Sequence, residues 1–177
     1  MDVVDDGLRD RLRAAFRWVD LGPHATHDVS DASGWWRDGG ILADLGPALA
    51  ALHAGPPPTV VLGPETSGFL LGPLVARALG VGFVEAYKGG LAGRVVRRAT
   101  VPDHRGRTVT LSVREHLLTP ADRVLVVDDW AATGAQLDAL RSLVVEAGAE
   151  YLGAVVVVNC GVNGVRSLLS RHDLDAW

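Results

Sequence analysis

Three short apolar runs constrain this chain more than any other feature: Thr59 to Gly63, Arg123 to Val127 and Leu152 to Val158. A strand wetted on one face alternates apolar and polar residues, whereas a strand covered on both faces reads apolar throughout. Between the runs lie segments of helical period, residues 67–79 closed by Gly80 and Gln136–Ala147 closed by Gly148, with a further short strand at Gly82–Ala86. Strands alternating with helices in this way predict an α/β fold, a mainly parallel central sheet flanked by helices on both faces. Ligands of such sheets sit at the carboxyl ends of the strands.

The N-terminal region is organised differently. Val4, Leu8, Leu12, Ala15, Phe16 and Val19 recur at three- and four-residue steps, which predicts an amphipathic helix ended by Gly22-Pro23. Residues 24–40 read as loop, with Trp35-Trp36 as a packing anchor, and a second helix is expected over Leu45–His53. The Gly55-Pro-Pro-Pro58 break then introduces the regular core. Between the first and second of these apolar runs, residues 89–108 hold Gly89, Gly90, Gly93, Arg94, Arg97, Arg98, Arg105 and Arg107, and the alternating Thr108–Val113 reads as the return strand of a hairpin.

A chain of 177 residues suits one domain that buries about 70% of its unfolded surface. Its net charge of −4 argues against a protein built to grip a nucleic-acid backbone. Cys160 is the single cysteine, so no intrachain disulfide forms and no CxxC pair suggests zinc; a reducing, cytoplasmic setting fits. The acidic start, Met-Asp-Val-Val-Asp-Asp, is unlike a secretory signal, and the apolar runs are too short to span a bilayer. His24 and His27 lack a third partner in the sequence and read as surface histidines.

The stretch Val124-Leu-Val-Val-Asp-Asp-Trp-Ala-Ala-Thr-Gly-Ala-Gln136 sets two carboxylates at a strand end and then enters a helix through small residues. Unpaired N–H groups and the dipole at a helix start favour an anion such as phosphate. Two acids just upstream would repel it, unless they accept hydrogen bonds from sugar hydroxyls or help hold a divalent cation. The combination suits a ligand with both sugar and phosphate. Neither GxxxxGK[ST] nor GxGxxG after a strand occurs, so the phosphate cradle is of another kind.

The order of apolar strand, paired acids and Ala-Thr-Gly-Ala-Gln resembles the phosphoribosyl-pyrophosphate (PRPP) motif of type I phosphoribosyltransferases. The segment GPETSGFLLGPLVARALGVGFVEAYKGG, residues 63–90, is similar to the pyrophosphate-loop region of adenine phosphoribosyltransferases, and its ETSG to bacterial xanthine enzymes. REHLLTPADRVLVVDD resembles the approach to the PRPP motif in adenine enzymes, and GGILADLGPAL, residues 39–49, their purine-site segment. The resemblance implies a type I phosphoribosyltransferase fold in one domain, with a core over about residues 57–159. A small hood would come from about 21–56 and 160–177, and a flexible loop from about 89–114. It also implies Mg2+-dependent transfer of phosphoribose from PRPP to a purine, adenine first, in a homodimer.

Carried over by position, Asp128 and Asp129 would act on the ribose hydroxyls as catalytic and metal-binding acids, and Ala132, Thr133, Gly134, Ala135 and Gln136 would hold the 5-phosphate. Thr66, Ser67, Gly68 and Lys88 would hold pyrophosphate, with Arg94, Arg97 and Arg98 closing over it from the basic segment, unless that segment is a solvated loop. Leu42, Trp130 and Asn159 are the base-site candidates, Trp130 serving either a purine face or the core. The chain departs from the family in having Gly134-Ala135-Gln136 for the usual Gly-Gly-Thr, Ser67 where adenine enzymes carry Arg, and Asn159-Cys160 where oxopurine enzymes place a lysine. Neither Asp103 nor Glu115 aligns as an acid-base residue, which leaves open a PRPP-binding regulator without turnover, or a transferase for an oxopurine, pyrimidine or unusual base.

Overall fold

The computed structural model describes residues 6–20, 22, 28–89, 91, 96–102 and 108–174. In chain order the elements are α1 (Asp6–Ala15), β1 (Arg17–Val19), β2 (Val29–Asp31), α2 (Ser33–Arg37), α3 (Gly39–Ala51), β3 (Val60–Pro64), α4 (Ser67–Leu79) and β4 (Gly82–Lys88). They continue with β5 (Val96–Pro102), β6 (Thr108–Arg114), β7 (Arg123–Ala131), α5 (Ala135–Glu146), β8 (Glu150–Asn159) and β9 (Val165–Ser170). Single 3-10 turns follow β6 and β9.

The predicted sheet is there, with seven strands in the order β5-β6-β4-β3-β7-β8-β9. The five strands from β4 to β9 run parallel, and β6 and β5 add an antiparallel ribbon at the β4 edge. Apolar strands sort their side chains to two faces. Val61, Leu125, Val127, Val155 and Val157 pack on one side with residues of α1, α3 and α4, while Val60, Leu62, Val124, Val126 and Val156 pack on the other with α5. Removal of both strand faces from water is why these runs carry no polar alternation.

Helix ends follow local chemistry. Asp38 caps α3, its Oδ1 accepting from the N–H groups of Gly40 and Ile41 at 2.8 and 3.0 Å. α4 stops at Gly80, whose φ of 70° lets Val81 N–H reach back to the Ala76 carbonyl at 2.9 Å.

Several expectations are corrected. The first helix ends at Ala15, and Arg17–Val19 instead form β1 against β2; Phe16 and Trp18 join an aromatic cluster that helical periodicity does not encode. The 24–40 stretch is not all loop, since β2 and α2 lie within it; Trp35 of α2 is fully buried, with Nε1 donating to the Leu12 carbonyl at 2.8 Å. His24 and His27 lie outside the described residues. The assignment of 160–177 to a hood fails for Val165–Ser170, which extend the central sheet as β9 with Leu168 and Leu169 buried. Finally, β7 does not end at Val127 but continues through both acids to Ala131, because β8 keeps pairing with it as far as Ala131↔Asn159.

Candidate active site

The chain leaves β3 for β4 on one side, while β7 lies on β3's other side, so the sheet's order switches between β3 and β7. A crevice forms at such a point. Here β3 and β7 pair only up to Leu62↔Val126; beyond it Gly63 and Pro64 stay with β4, and Asp128 to Ala131 stay with β8. The two strand-to-helix loops therefore face a common gap.

On the β7 side, Asp128 is 3% exposed and Asp129 half-buried. Asp128 Oδ1 accepts from Asp129 N–H at 2.9 Å and Oδ2 from the Gln136 side-chain amide at 2.6 Å. Burial above all, and then repulsion from Asp129, push the Asp128 carboxyl well above the usual carboxylate range. Ala132 and Thr133 are exposed, and Gly134, at φ 85°, turns the chain into α5. A Cβ on Gly134 would lie 2.9 Å from Val162 Cγ1, so the loop between β8 and β9 backs the loop between β7 and α5.

On the β3 side, the Glu65–Thr66 peptide is cis and α4 begins at Ser67, with Thr66 exposed, Ser67 half-buried and Gly68 buried. Glu65 Oε2 accepts from Lys88 N–H at 2.9 Å, which ties this loop to the end of β4. The Lys88 side chain is exposed. Arg97 lies on β5 opposite Val113, Arg98 is exposed with its guanidinium donating to Leu91 O at 3.4 Å, and Arg94 lies outside the described residues.

The base-site candidates separate. Trp130 is half-buried, stacked near Phe16 with centroids 5.9 Å apart and edge-on to Trp18, and its Nε1 donates to Cys160 Sγ at 3.1 Å. Leu42 is half-buried on the first turn of α3, whose Ile41 and Leu45 share a core cluster with Trp130. Asn159 is engaged by its own loop: Nδ2 donates to the Val162 and Val165 carbonyls, each at 3.0 Å, and Oδ1 accepts from Gly161 and Val162 N–H. That fills the hydrogen-bonding capacity of a side-chain amide. Sequence reasoning missed Glu65, Phe16, Trp18 and Val162, all of which act through contacts distant in the chain.

Residues 48–168 match the phosphoribosyl transferase domain model. The chain belongs to the phosphoribosyltransferase family. Among its relatives, an adenine phosphoribosyltransferase of Streptomyces coelicolor is 35% identical, over 92% of this chain and 89% of its own. Another from Paracoccus denitrificans is 40% identical over 72% and 69%. The crystal structure of the Rhodothermus marinus adenine phosphoribosyltransferase superposes with a TM-score of 0.81 at 27% identity, covering 94% of this chain and 99% of that one. The resemblance is thus to type I phosphoribosyltransferases of the adenine kind, and the crevice lies where that fold's strand order switches. No helix among the described residues is long and apolar enough to cross a membrane.

Proposed function

We propose that this phosphoribosyltransferase joins the phosphoribosyl group of PRPP to adenine, giving a nucleoside monophosphate and pyrophosphate. The observation that carries the reading is the pairing of the Asp128-Asp129 acids with a helix N-terminus across one crevice from a second helix N-terminus. One loop suits ribose and its 5-phosphate, the other pyrophosphate, and the names of the relatives supply the base.

The backbone N–H groups of Ala132 to Gln136, with the Thr133 hydroxyl, would hold the 5-phosphate. Asp128 and Asp129 would accept hydrogen bonds from the ribose hydroxyls, Asp129 being the more accessible. Thr66, Ser67, Gly68 and Lys88 would seat the pyrophosphate, with Arg94, Arg97 and Arg98 adding positive charge. As the bond from the anomeric carbon to pyrophosphate oxygen breaks, its electron pair leaves with pyrophosphate; a ring nitrogen of the base attacks the electron-poor carbon, and the proton of that nitrogen passes to water or to the departing pyrophosphate. Donors already aimed at the departing oxygens lower the barrier because they need no rearrangement.

Among the described residues no group of three or more acidic, His or Cys side chains gathers, so the acid pair suits an ion shared with substrate oxygens and water. Asp128 and Asp129 would be the protein's ligands for Mg2+, which neutralises charge on the pyrophosphate when bound. Leu42 and Trp130 are proposed to border the base, and Asn159 to act there through the loop it shapes. A homodimer in the cytoplasm belongs to the same proposal, and light scattering checks the assembly.

The test is a panel of adenine, guanine, hypoxanthine, xanthine and uracil with PRPP and Mg2+, followed by pyrophosphate release. Turnover is expected with adenine. Turnover confined to another base replaces that substrate, and PRPP binding without turnover on any base makes the chain a PRPP-binding regulator.

A further inference from the structure

Gln136 stands where the family's motif ends in threonine, a residue whose hydroxyl is a natural phosphate donor. Here the side chain is directed elsewhere. Its amide donates to Asp128 Oδ2 at 2.6 Å, from the first turn of α5 back to β7. The other oxygen of the same carboxylate is held by Asp129 N–H at 2.9 Å, so both Asp128 oxygens are fixed from within this segment. The Gln136 bond also closes a ring of chain around Ala132 to Ala135.

Asp128 is 3% exposed, and a buried carboxylate with a bonding partner removed is far more costly to hold in place than an exposed one. Threonine could not reach: its hydroxyl stays close to its own backbone, whereas the glutamine amide extends well beyond it. The exchange of threonine for glutamine thus gives up a side-chain phosphate donor and gains a donor to the acid pair.

We propose that Gln136 is a positioning residue: its side-chain amide latches Asp128, fixing the acid that meets the ribose hydroxyls, and does not bind the 5-phosphate. The inference rests on the PRPP-site reading above. In a single-residue phosphate site the glutamine would act alone. In a latch its effect passes through Asp128, and removing either partner removes the effect of the other.

The experiment measures, by titration calorimetry, the affinities of ribose 5-phosphate and of methyl phosphate for the wild-type chain, Gln136→Met, Gln136→Thr, Asp128→Asn and the Asp128→Asn/Gln136→Met double variant. Gln136→Met keeps the length and removes the donor, and a charge-assisted hydrogen bond of this kind corresponds to about tenfold in affinity or more. Ribose 5-phosphate should bind about tenfold more weakly to Gln136→Met, while methyl phosphate changes less than about twofold. Gln136→Thr should show the same loss, and the double variant should bind ribose 5-phosphate no more weakly than Asp128→Asn alone. The latch is overturned if Gln136→Met weakens both ligands alike, if Gln136→Thr restores binding, or if the single losses multiply in the double variant. Absence of ribose 5-phosphate binding to the wild-type chain would instead sink the PRPP-site reading itself, and the latch with it. A thermal melt of each variant separates a lost latch from a lost fold.

Discussion

The loop after β3 carries one carboxylate, Glu65, which accepts from Lys88 N–H at 2.9 Å and so binds its own scaffold. The loop after β7 is preceded by two, one of them buried and bonded inward and the other half-buried. Both loops deliver the chain to a helix N-terminus, so the local device for holding an anion is the same. The difference lies in the acids. Where none points outward, the site can take a group that is all negative charge. Where a pair stands beside the helix start, the same device can take a phosphate only if the rest of the ligand brings hydroxyls or a cation.

This contrast can be broken most severely at Asp129. Asp129→Asn should lower kcat/KM for PRPP by about a hundredfold in steady-state assays; a loss below about threefold would remove the acid pair from the chemistry and leave the two loops functionally alike. Lys88→Ala should come next, weakening pyrophosphate as a product inhibitor about tenfold while leaving ribose 5-phosphate binding unchanged. Loss of both ligands together would mean that the loops do not divide the substrate between them.

A smaller effect is expected at Gly134, where φ is 85° and a Cβ would lie 2.9 Å from Val162 Cγ1. Gly134→Ala should cost about 1–2 kcal/mol in urea denaturation, and adding Val162→Ala should not recover the part due to φ. The smallest change concerns Asp128 and is one of sign. Burial and then repulsion from Asp129 raise its folded pKa, so its contribution to stability is full below the ordinary carboxylate value of 3.8 and is lost as pH rises through the folded value. Asp128→Asn should therefore melt with the wild type near pH 3 and above it at neutral pH, even as function falls. A variant less stable than wild type at neutral pH would show that the Gln136 and Asp129 bonds outweigh the burial of charge.

The parallel core was legible in the sequence because burial on both faces leaves an unbroken apolar run, as at Val124–Val127, and because α4 and α5 carry their own stop signals in Gly80 and Gly148. The paired acids and the small-residue loop after them stood out as a motif because they are contiguous. The continuation of β7 to Ala131 was not, since Asp128 and Asp129 look like a strand end and only the pairing with β8 carries the ladder through them. Nor was the setting of Trp130, whose neighbours Phe16 and Trp18 lie more than a hundred residues away in the chain. Asn159 looked like a base contact for the same reason that Gln136 looked like a phosphate contact. A polar side chain at a site shows what it can bond, and only the fold shows what it does bond.

The turn that Asn159 organises has a consequence for how such a molecule can change over generations. Its shape is set from inside, by four hydrogen bonds to Asn159, while Cys160, Gly161, Asn163 and Gly164 are exposed. An exchange at Asn163 alters an exposed side chain of the turn, whereas one at Cys160 also removes the sulfur that accepts from Trp130 Nε1 at 3.1 Å. Selection therefore has, at Asn163, a position where it can trade residues without touching that bond, provided that Asn159 stays.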